Sequence, residues 1–97
     1  MIAIKIENKV INIDLNKFKK INTVDICQST FPKNSGIYYC FCTANNKGYV
    51  GQTNNLHRRI VNNHIKDLKT NQHKNKSWQY SWNKYGEETF IWVILEE

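Results

Sequence analysis

The sequence predicts an α/β fold: a small, mainly antiparallel three-stranded sheet flanked by two helices, with an N-terminal β-hairpin added to it. Three observations lead to this prediction. Two aromatic-rich apolar segments are separated by a short polar turn, a third β-rich segment closes the chain, and the stretch between them has helical periodicity. The 97 residues are few enough for one domain and sufficient for a core of its own.

Residues 1–33 are predicted to be an extension of this domain, made of a hairpin and a linker. Its first part alternates apolar and polar residues around the polar turn Glu7-Asn8-Lys9, which is typical of a β-hairpin. The linker has room for one helical turn and ends in a loop at Pro32. The hairpin has an edge that can pair with a second copy, so a homodimer formed through it or through swapped elements is one state that the sequence allows.

Residues 34–97 form the predicted main domain, which begins with a strand in the segment GIYYCFCT. The polar residues at 45–48 can adopt the positive φ of a tight turn, and YVG then begins the return strand. Asn54 or Asn55 can cap a helix that continues to about Thr70. The apolar residues of this helix share one side, as an amphipathic helix requires: Leu56, Ile60, Val61, Ile65 and Leu68.

The segment SWQYSWNKYG is predicted to be the second helix, with Ser77 as its N-cap and Gly86 as its end. The β-rich segment TFIWVIL follows as the closing strand of the sheet. The predicted order is therefore strand, turn, strand, helix, helix, strand.

Positive charge is concentrated in the second half of the chain. The formal net charge is +6, and eight lysines and arginines from Lys47 to Lys84 stand against one acid, Asp67. Aromatic residues are interleaved with these cations, which favours nucleic acid as the partner over a merely solvated basic face. No apolar run is long enough for a membrane span, and the N-terminus lacks the pattern of a secretory signal.

The three cysteines, Cys27, Cys40 and Cys42, are an odd number without the spacing of a disulfide framework. Cys40 and Cys42 would point the same way from a strand, where buried free thiols are common, and a C-x-C pair binds metal only with further ligands. We therefore expect a reducing, cytoplasmic location.

Two tripeptides, Gly36-Ile37-Tyr38 and Tyr49-Val50-Gly51, are followed by Arg59 eight residues after Gly51. With the predicted order of elements, they resemble the two motifs and the arginine of the GIY-YIG nuclease domain, with valine in place of one isoleucine. The later stretch, which includes His73 and the helix end Trp82–Gly86, is similar to phage and intron-encoded members of the family. The resemblance covers roughly residues 34 to 97.

The resemblance implies a DNA endonuclease, of the phage, homing or restriction type, that hydrolyses phosphodiester bonds with a divalent metal, Mg²⁺ or Mn²⁺. In such a site Tyr38 contacts or deprotonates the attacking water, Tyr49 lines the same site, and Arg59 clamps the scissile phosphate. His73 either contacts phosphate or is an exposed loop histidine. The predicted nucleic-acid-binding residues are Gly51, where the backbone can approach closely, and four others: Lys47, Arg58, His73 and Lys84.

His64 departs from the family pattern, in which a catalytic histidine follows the arginine by four residues. Here His64 comes five residues after Arg59, and an α-helix would place the two side chains about 140° apart. Two interpretations remain open. His64 is a satisfied core histidine of an α-helix, or an inserted residue forms a π-bulge that returns His64 to the catalytic face.

The family's metal-binding glutamate is the second departure, because it lies on a helix beyond the closing strand. None of the glutamates in the C-terminal part of the chain, at positions 87, 88, 96 and 97, occupies the matching position. We therefore expect a C-terminally incomplete catalytic domain, either a fragment or a short natural form, that is weak or inactive as a nuclease. The alternative function is a non-catalytic nucleic-acid-binding or regulatory module derived from such a nuclease.

Overall fold

A computed structural model describes residues 2–6, 9–26 and 29–97. Its N-terminal part is a two-stranded antiparallel sheet of strands β1 (Ile2–Ile6) and β2 (Lys9–Ile13). The predicted pairing of these segments is therefore confirmed, while most of the predicted turn lies outside the described residues, as does Cys27.

The main sheet has four antiparallel strands in the described part of the chain, in the order β3-β6-β4-β5. They are β3 (Lys20–Asn22), β4 (Gly36–Cys42), β5 (Gly48–Thr53) and β6 (Phe90–Glu96). The predicted α/β class is confirmed, but the prediction of three strands was wrong by one. β3 comes from the predicted linker, and its three residues are too few to give a recognisable alternation.

Hydrogen bonds fasten β3 and the turn after it to the rest of the sheet. The indole Nε1 of Trp92 donates to Thr23 Oγ1 at 2.8 Å, and Thr23 Oγ1 in turn donates to the carbonyl of Phe90 at 3.0 Å. The side-chain amide of Asn22 donates to the carbonyl of Glu88 at 2.8 Å. Because the Trp92 indole is buried, Thr23 satisfies a donor that would be costly to leave unpaired.

Two helices follow β5. Helix α1 consists of a π-helical part, His57–Ile65, and an α-helical part, Lys66–Lys69. Its first turn is capped by Asn55, whose Oδ1 accepts from the backbone N–H of Arg58. Helix α2 (Lys76–Tyr85) ends at Gly86, as predicted, where φ is +91°.

The predicted cap of α2 was wrong. Asn75, two residues before Ser77, is the N-cap, and its Oδ1 accepts from the backbone N–H of Trp78 at 3.1 Å. Both residue types are good caps, so local sequence does not choose between them. The turn before β5 follows the prediction, with Asn46 at a φ of +60°.

The core lies on one face of the main sheet, where both helices pack. Alternate residues of β4 enter it, namely Tyr38, Cys40 and Cys42, and the cross-strand partners of the two cysteines, Trp92 and Phe90, lie beside them. Both cysteines are fully buried free thiols, as the sequence predicted. Within the described residues, none of the helices is long and apolar enough to cross a membrane.

Candidate active site

An open cavity of about 520 Å³ lies where the ends of β4 and β5 meet both helices. Six of the nine residues predicted for the site line this cavity: Tyr38, Tyr49, Gly51, Arg59, His64 and His73. Gln52, Lys74, Asn75 and Trp78 also line it and were not predicted as site residues. The cavity therefore gathers side chains from four elements and from the loop between the helices.

The two tripeptide motifs meet through the register of β4 and β5. Tyr38 lies directly opposite Gly51, and the Tyr38 side chain covers the space where a side chain at position 51 would be. A Cβ placed on Gly51 would lie 2.2 Å from Tyr38 Oη, far inside van der Waals contact. Position 51 therefore admits only glycine while Tyr38 keeps this place.

The π-helical part of α1 brings Arg59 and His64 to the same cavity. A π-helix bonds residues five apart, so a five-residue spacing returns the chain to nearly the same side. The π-helical geometry of the second interpretation is present, and it extends over nine residues rather than a single turn, while a catalytic role for His64 stays a prediction. His64 is also buried, with 7% of its surface exposed, and burial is the property that the first interpretation, a core histidine, predicts.

Tyr38, His64 and His73 form a continuous chain of hydrogen bonds. Tyr38 Oη lies 2.6 Å from His64 Nε2, and His64 Nδ1 lies 2.8 Å from His73 Nε2. The interpretation of His73 as an exposed loop histidine was wrong, because only 6% of its surface is exposed. The sequence could not place His73, since the loop that carries it is folded inward by contacts with α2.

Burial sets the protonation states of these groups. It lowers the pKa of His64 from 6.5 to about 3, and the neighbouring Arg59 charge acts in the same direction. Burial also lowers the pKa of His73, against the opposing effect of Asp67. Burial raises the pKa of the Tyr38 phenol, which the guanidinium of Arg59 partly offsets. At neutral pH the phenol and both imidazoles are therefore uncharged, beside the cation of Arg59.

The lowered pKa of His64 makes stability depend on pH. Between about pH 6.5 and pH 3 the unfolded chain binds a proton on this residue that the folded chain does not, so the free energy of unfolding should fall as pH falls through this range. The expected slope approaches about 1.4 kcal/mol per pH unit for one such group. Urea unfolding at a series of pH values from about 7.5 to about 4 measures it. A His64→Asn variant should show a shallower dependence, and equal slopes in the two proteins would contradict the pKa assignment.

Trp78 forms one wall of the cavity. Its ring stacks on Tyr49, with ring centroids 4.5 Å apart and planes 5° from parallel, and it also contacts both histidines. Tyr49 Oη and Trp78 Nε1 are buried and make no hydrogen bond to the described residues. Trp78 is far from both motifs in sequence, so no local pattern identifies it as part of the site.

The three remaining predicted residues lie outside the cavity. The Arg58 guanidinium points to the exposed side of α1, where it donates to Asn54 Oδ1 at 2.7 Å. Lys84 is exposed on α2, and its ammonium lies 5.7 Å from the ring centroid of Tyr80, an exposed tyrosine. Lys47 is exposed in the turn before β5. Any role for these cations is therefore in contacts beyond the cavity.

The residues of the cavity do not fit a divalent metal. Among residues 2–6, 9–26 and 29–97, no group of three or more histidine, cysteine, aspartate or glutamate side chains could hold an ion. No carboxylate is among the described residues that line the cavity, whereas Mg²⁺ and Mn²⁺ prefer carboxylate and other oxygen ligands. Both ring nitrogens of His64 are already hydrogen-bonded. The expected Mg²⁺ or Mn²⁺ stays a prediction.

A comparison with known protein families gives one match, to the GIY-YIG catalytic domain over residues 34–97. These residues include every side chain that lines the cavity. No curated protein and no solved structure matches the chain.

Proposed function

The chain belongs to the GIY-YIG family, and from this premise we propose that its cavity binds a DNA phosphate and hydrolyses the phosphodiester bond. The observation that carries the proposal is the convergence of Tyr38, Arg59 and His64, from three places in the sequence, on one open cavity. GIY-YIG nucleases are generally metal-dependent. Because the described residues do not fit a metal ion, each proposed step is assigned to a side chain of this protein.

Arg59 supplies the positive charge of the proposed site. Its planar guanidinium can donate two parallel hydrogen bonds to phosphate oxygens, which suits both the bound phosphate and the additional charge of the transition state. Lys74 also lines the cavity and adds a second cation beside it. Lys47, Arg58 and Lys84, which lie outside, are proposed to contact the backbone of the flanking duplex, together with the surface around Gly51 and His73.

Tyr38 is the proposed acceptor of a proton from water. As a phenolate it takes this proton while the water oxygen bonds to phosphorus, and the bond from phosphorus to the leaving oxygen breaks. The leaving oxygen then takes a proton from solvent. Arg59 favours the phenolate electrostatically, and Tyr49 holds Trp78 in place as the wall of the site.

A non-catalytic DNA-binding or regulatory role is the second candidate function. The observation in its favour is the set of groups that line the cavity: two cations, phenols, imidazoles and amides, which bind phosphate without cleaving it. Nicking of supercoiled plasmid with Mg²⁺ or Mn²⁺ separates the two functions. Nicking that is lost in a chelator control and in Tyr38→Phe supports hydrolysis, whereas binding without nicking supports the second candidate.

Both functions predict DNA binding that weakens with salt. For five phosphate contacts, from Arg59 and Lys74 in the cavity and from Lys47, Arg58 and Lys84 outside it, the affinity for duplex DNA should fall roughly 500-fold between about 50 and about 200 mM salt, because each contact releases condensed counterions. Fluorescence anisotropy with duplexes of unrelated sequence measures this dependence and the expected lack of sequence preference. An affinity that stays constant across this salt range would contradict phosphate binding by the cavity.

A further inference from the structure

We propose that Gln79 and the backbone amide of Asn75 fix the direction of the hydrogen-bond chain, so that His73 donates to His64 and His64 donates to Tyr38. Gln79 is then a positioning residue, which acts through the loop that carries His73. The assignment of Tyr38 as the reacting phenol rests on the proposed function. The direction of the chain rests on hydrogen-bond geometry alone.

The direction of the hydrogen bonds is set at His73, the member of the hydrogen-bond chain that is farthest from Tyr38. The backbone N–H of Asn75 donates to His73 Nδ1 at 3.0 Å. A backbone amide nitrogen can only donate, so Nδ1 must be the unprotonated nitrogen of the neutral ring. The single proton of His73 therefore lies on Nε2, where it is donated to His64 Nδ1 across 2.8 Å.

The position of the proton on the His64 ring follows from that of His73. Since His64 Nδ1 accepts from His73, the proton of neutral His64 lies on Nε2 and is donated to Tyr38 Oη across 2.6 Å. The reverse direction would put a proton on His73 Nδ1, opposite the Asn75 amide proton. Two donors would then face each other in a buried place, which costs the desolvation of both. His64 is therefore a donor to Tyr38 and is not available as its base.

Gln79 holds the loop that presents the Asn75 amide. Its Oε1 accepts from the backbone N–H of His73 at 3.0 Å, and its Nε2 donates to the carbonyl of Leu68 at 3.0 Å. Gln79 is buried, with 6% of its surface exposed, so both bonds are shielded from water. One side chain of α2 thus connects the end of α1 to the loop, and it fixes the position of His73 relative to Asn75.

The fixed direction has a chemical consequence at Tyr38. Its oxygen accepts from His64, so its own proton is lost into the cavity rather than to an imidazole. The groups that face Tyr38 are Arg59, His64 and Cys40, with His73 beyond His64. Because neither histidine takes the proton, the rate of DNA cleavage should keep rising with pH into the alkaline range, whereas a histidine base, whose pKa is lowered here, would give a rate that is level above neutral pH.

Nuclear magnetic resonance of the full chain with ¹⁵N-labelled histidine tests the direction without requiring catalysis. Long-range ¹⁵N–¹H correlations at about pH 7.5 show which ring nitrogen carries the proton. The expected result is the Nε2–H form alone for both His64 and His73. A proton on Nδ1 of either ring in the unmodified chain would overturn the proposal.

Two variants of Gln79 and a control test its role. Gln79→Leu removes the acceptor for the His73 N–H, and both rings should then show a mixture of tautomers. Gln79→Glu keeps an acceptor there and should keep the single Nε2–H form, which covers the case in which Gln79→Leu does not fold. Asn83→Ala is the control, because Asn83 accepts from Gln79 Nε2 but is not bonded to His73. Two results would contradict a positioning role for Gln79. One is a mixture of tautomers in Gln79→Glu, and the other is the Nε2–H tautomer alone in a folded Gln79→Leu protein.

Absence of DNA cleavage would contradict the proposed function. It would not affect the inferred direction of the hydrogen bonds, because the tautomers are measured without catalysis. In a form of the protein that cleaves DNA, the pH profile gives the second readout. A cleavage rate that stays level from about pH 7 to about pH 9 would mean that a histidine takes the proton, and it would overturn the inference even if the protein is an active nuclease.

Discussion

Replacing Arg59 by alanine should lower the rate of DNA cleavage about 10²–10³-fold in any form of the protein that cleaves DNA, the usual cost of losing one transition-state donor. Arg59 lines the cavity beside Tyr38 and His64. The change removes no residue of the buried core, so the free energy of unfolding should change little. Plasmid nicking measures the rate, and urea unfolding measures the stability.

Arg58→Ala is the matched control for Arg59→Ala. The two arginines are neighbours on α1, but Arg58 points outward and donates to Asn54. Its replacement should weaken DNA binding and leave the cleavage rate of bound DNA close to that of the unmodified protein. If Arg58→Ala were the inactive variant, the phosphate would bind on the outer side of α1 and not in the cavity.

Gly51→Ala should lower cleavage by about 10²-fold or more, because displacing a reacting group by about 1 Å costs this much. The added Cβ would lie 2.2 Å from Tyr38 Oη. Tyr38 is buried and hydrogen-bonded to His64, so it cannot move aside without breaking this bond. The free energy of unfolding should fall as well, by roughly 1–3 kcal/mol, the usual cost of overpacking a core.

Gly48→Ala is the control on the same strand. There the added Cβ meets the end of the Tyr39 side chain, at 1.8 Å from the hydroxyl. The Tyr39 ring is only partly buried and can rotate toward solvent, so the clash is relieved at small cost. Thermal unfolding and nicking of both variants check the contrast, and an active Gly51→Ala protein would mean that Tyr38 is not the reacting group.

Much of the site could be predicted from the sequence because the motif residues are held by short-range geometry. Tyr38 and Gly51 lie on two strands joined by a short turn, and the register of a hairpin follows from its turn. The spacing of Arg59 and His64 was informative for the same reason. An α-helix would place two side chains five residues apart on different sides. A π-helix brings Arg59 and His64 to nearly the same side, so that both can line one cavity.

The features that sequence reasoning missed depend on partners distant along the chain. β3 is a strand only because β6, about 70 residues later, offers it hydrogen bonds. His73 is buried because Gln79 and His64 hold its loop inward, and Trp78 joins the site because it stacks on Tyr49. Neither α-helical periodicity nor strand alternation carries information about such contacts.

The pairing of β3 with β6 limits how far the protein can be shortened from its N-terminus without destabilising the sheet. An excised fragment that begins at Gly36 would turn β6 into an edge strand, with unpaired backbone groups along three of its residues. It would also leave the buried indole Nε1 of Trp92 without its acceptor on Thr23. Exposed edges of this kind invite pairing between molecules, so the family-matched segment alone would be prone to aggregate. We therefore expect the stable folding unit that contains β6 to include β3, which lies upstream of the first motif.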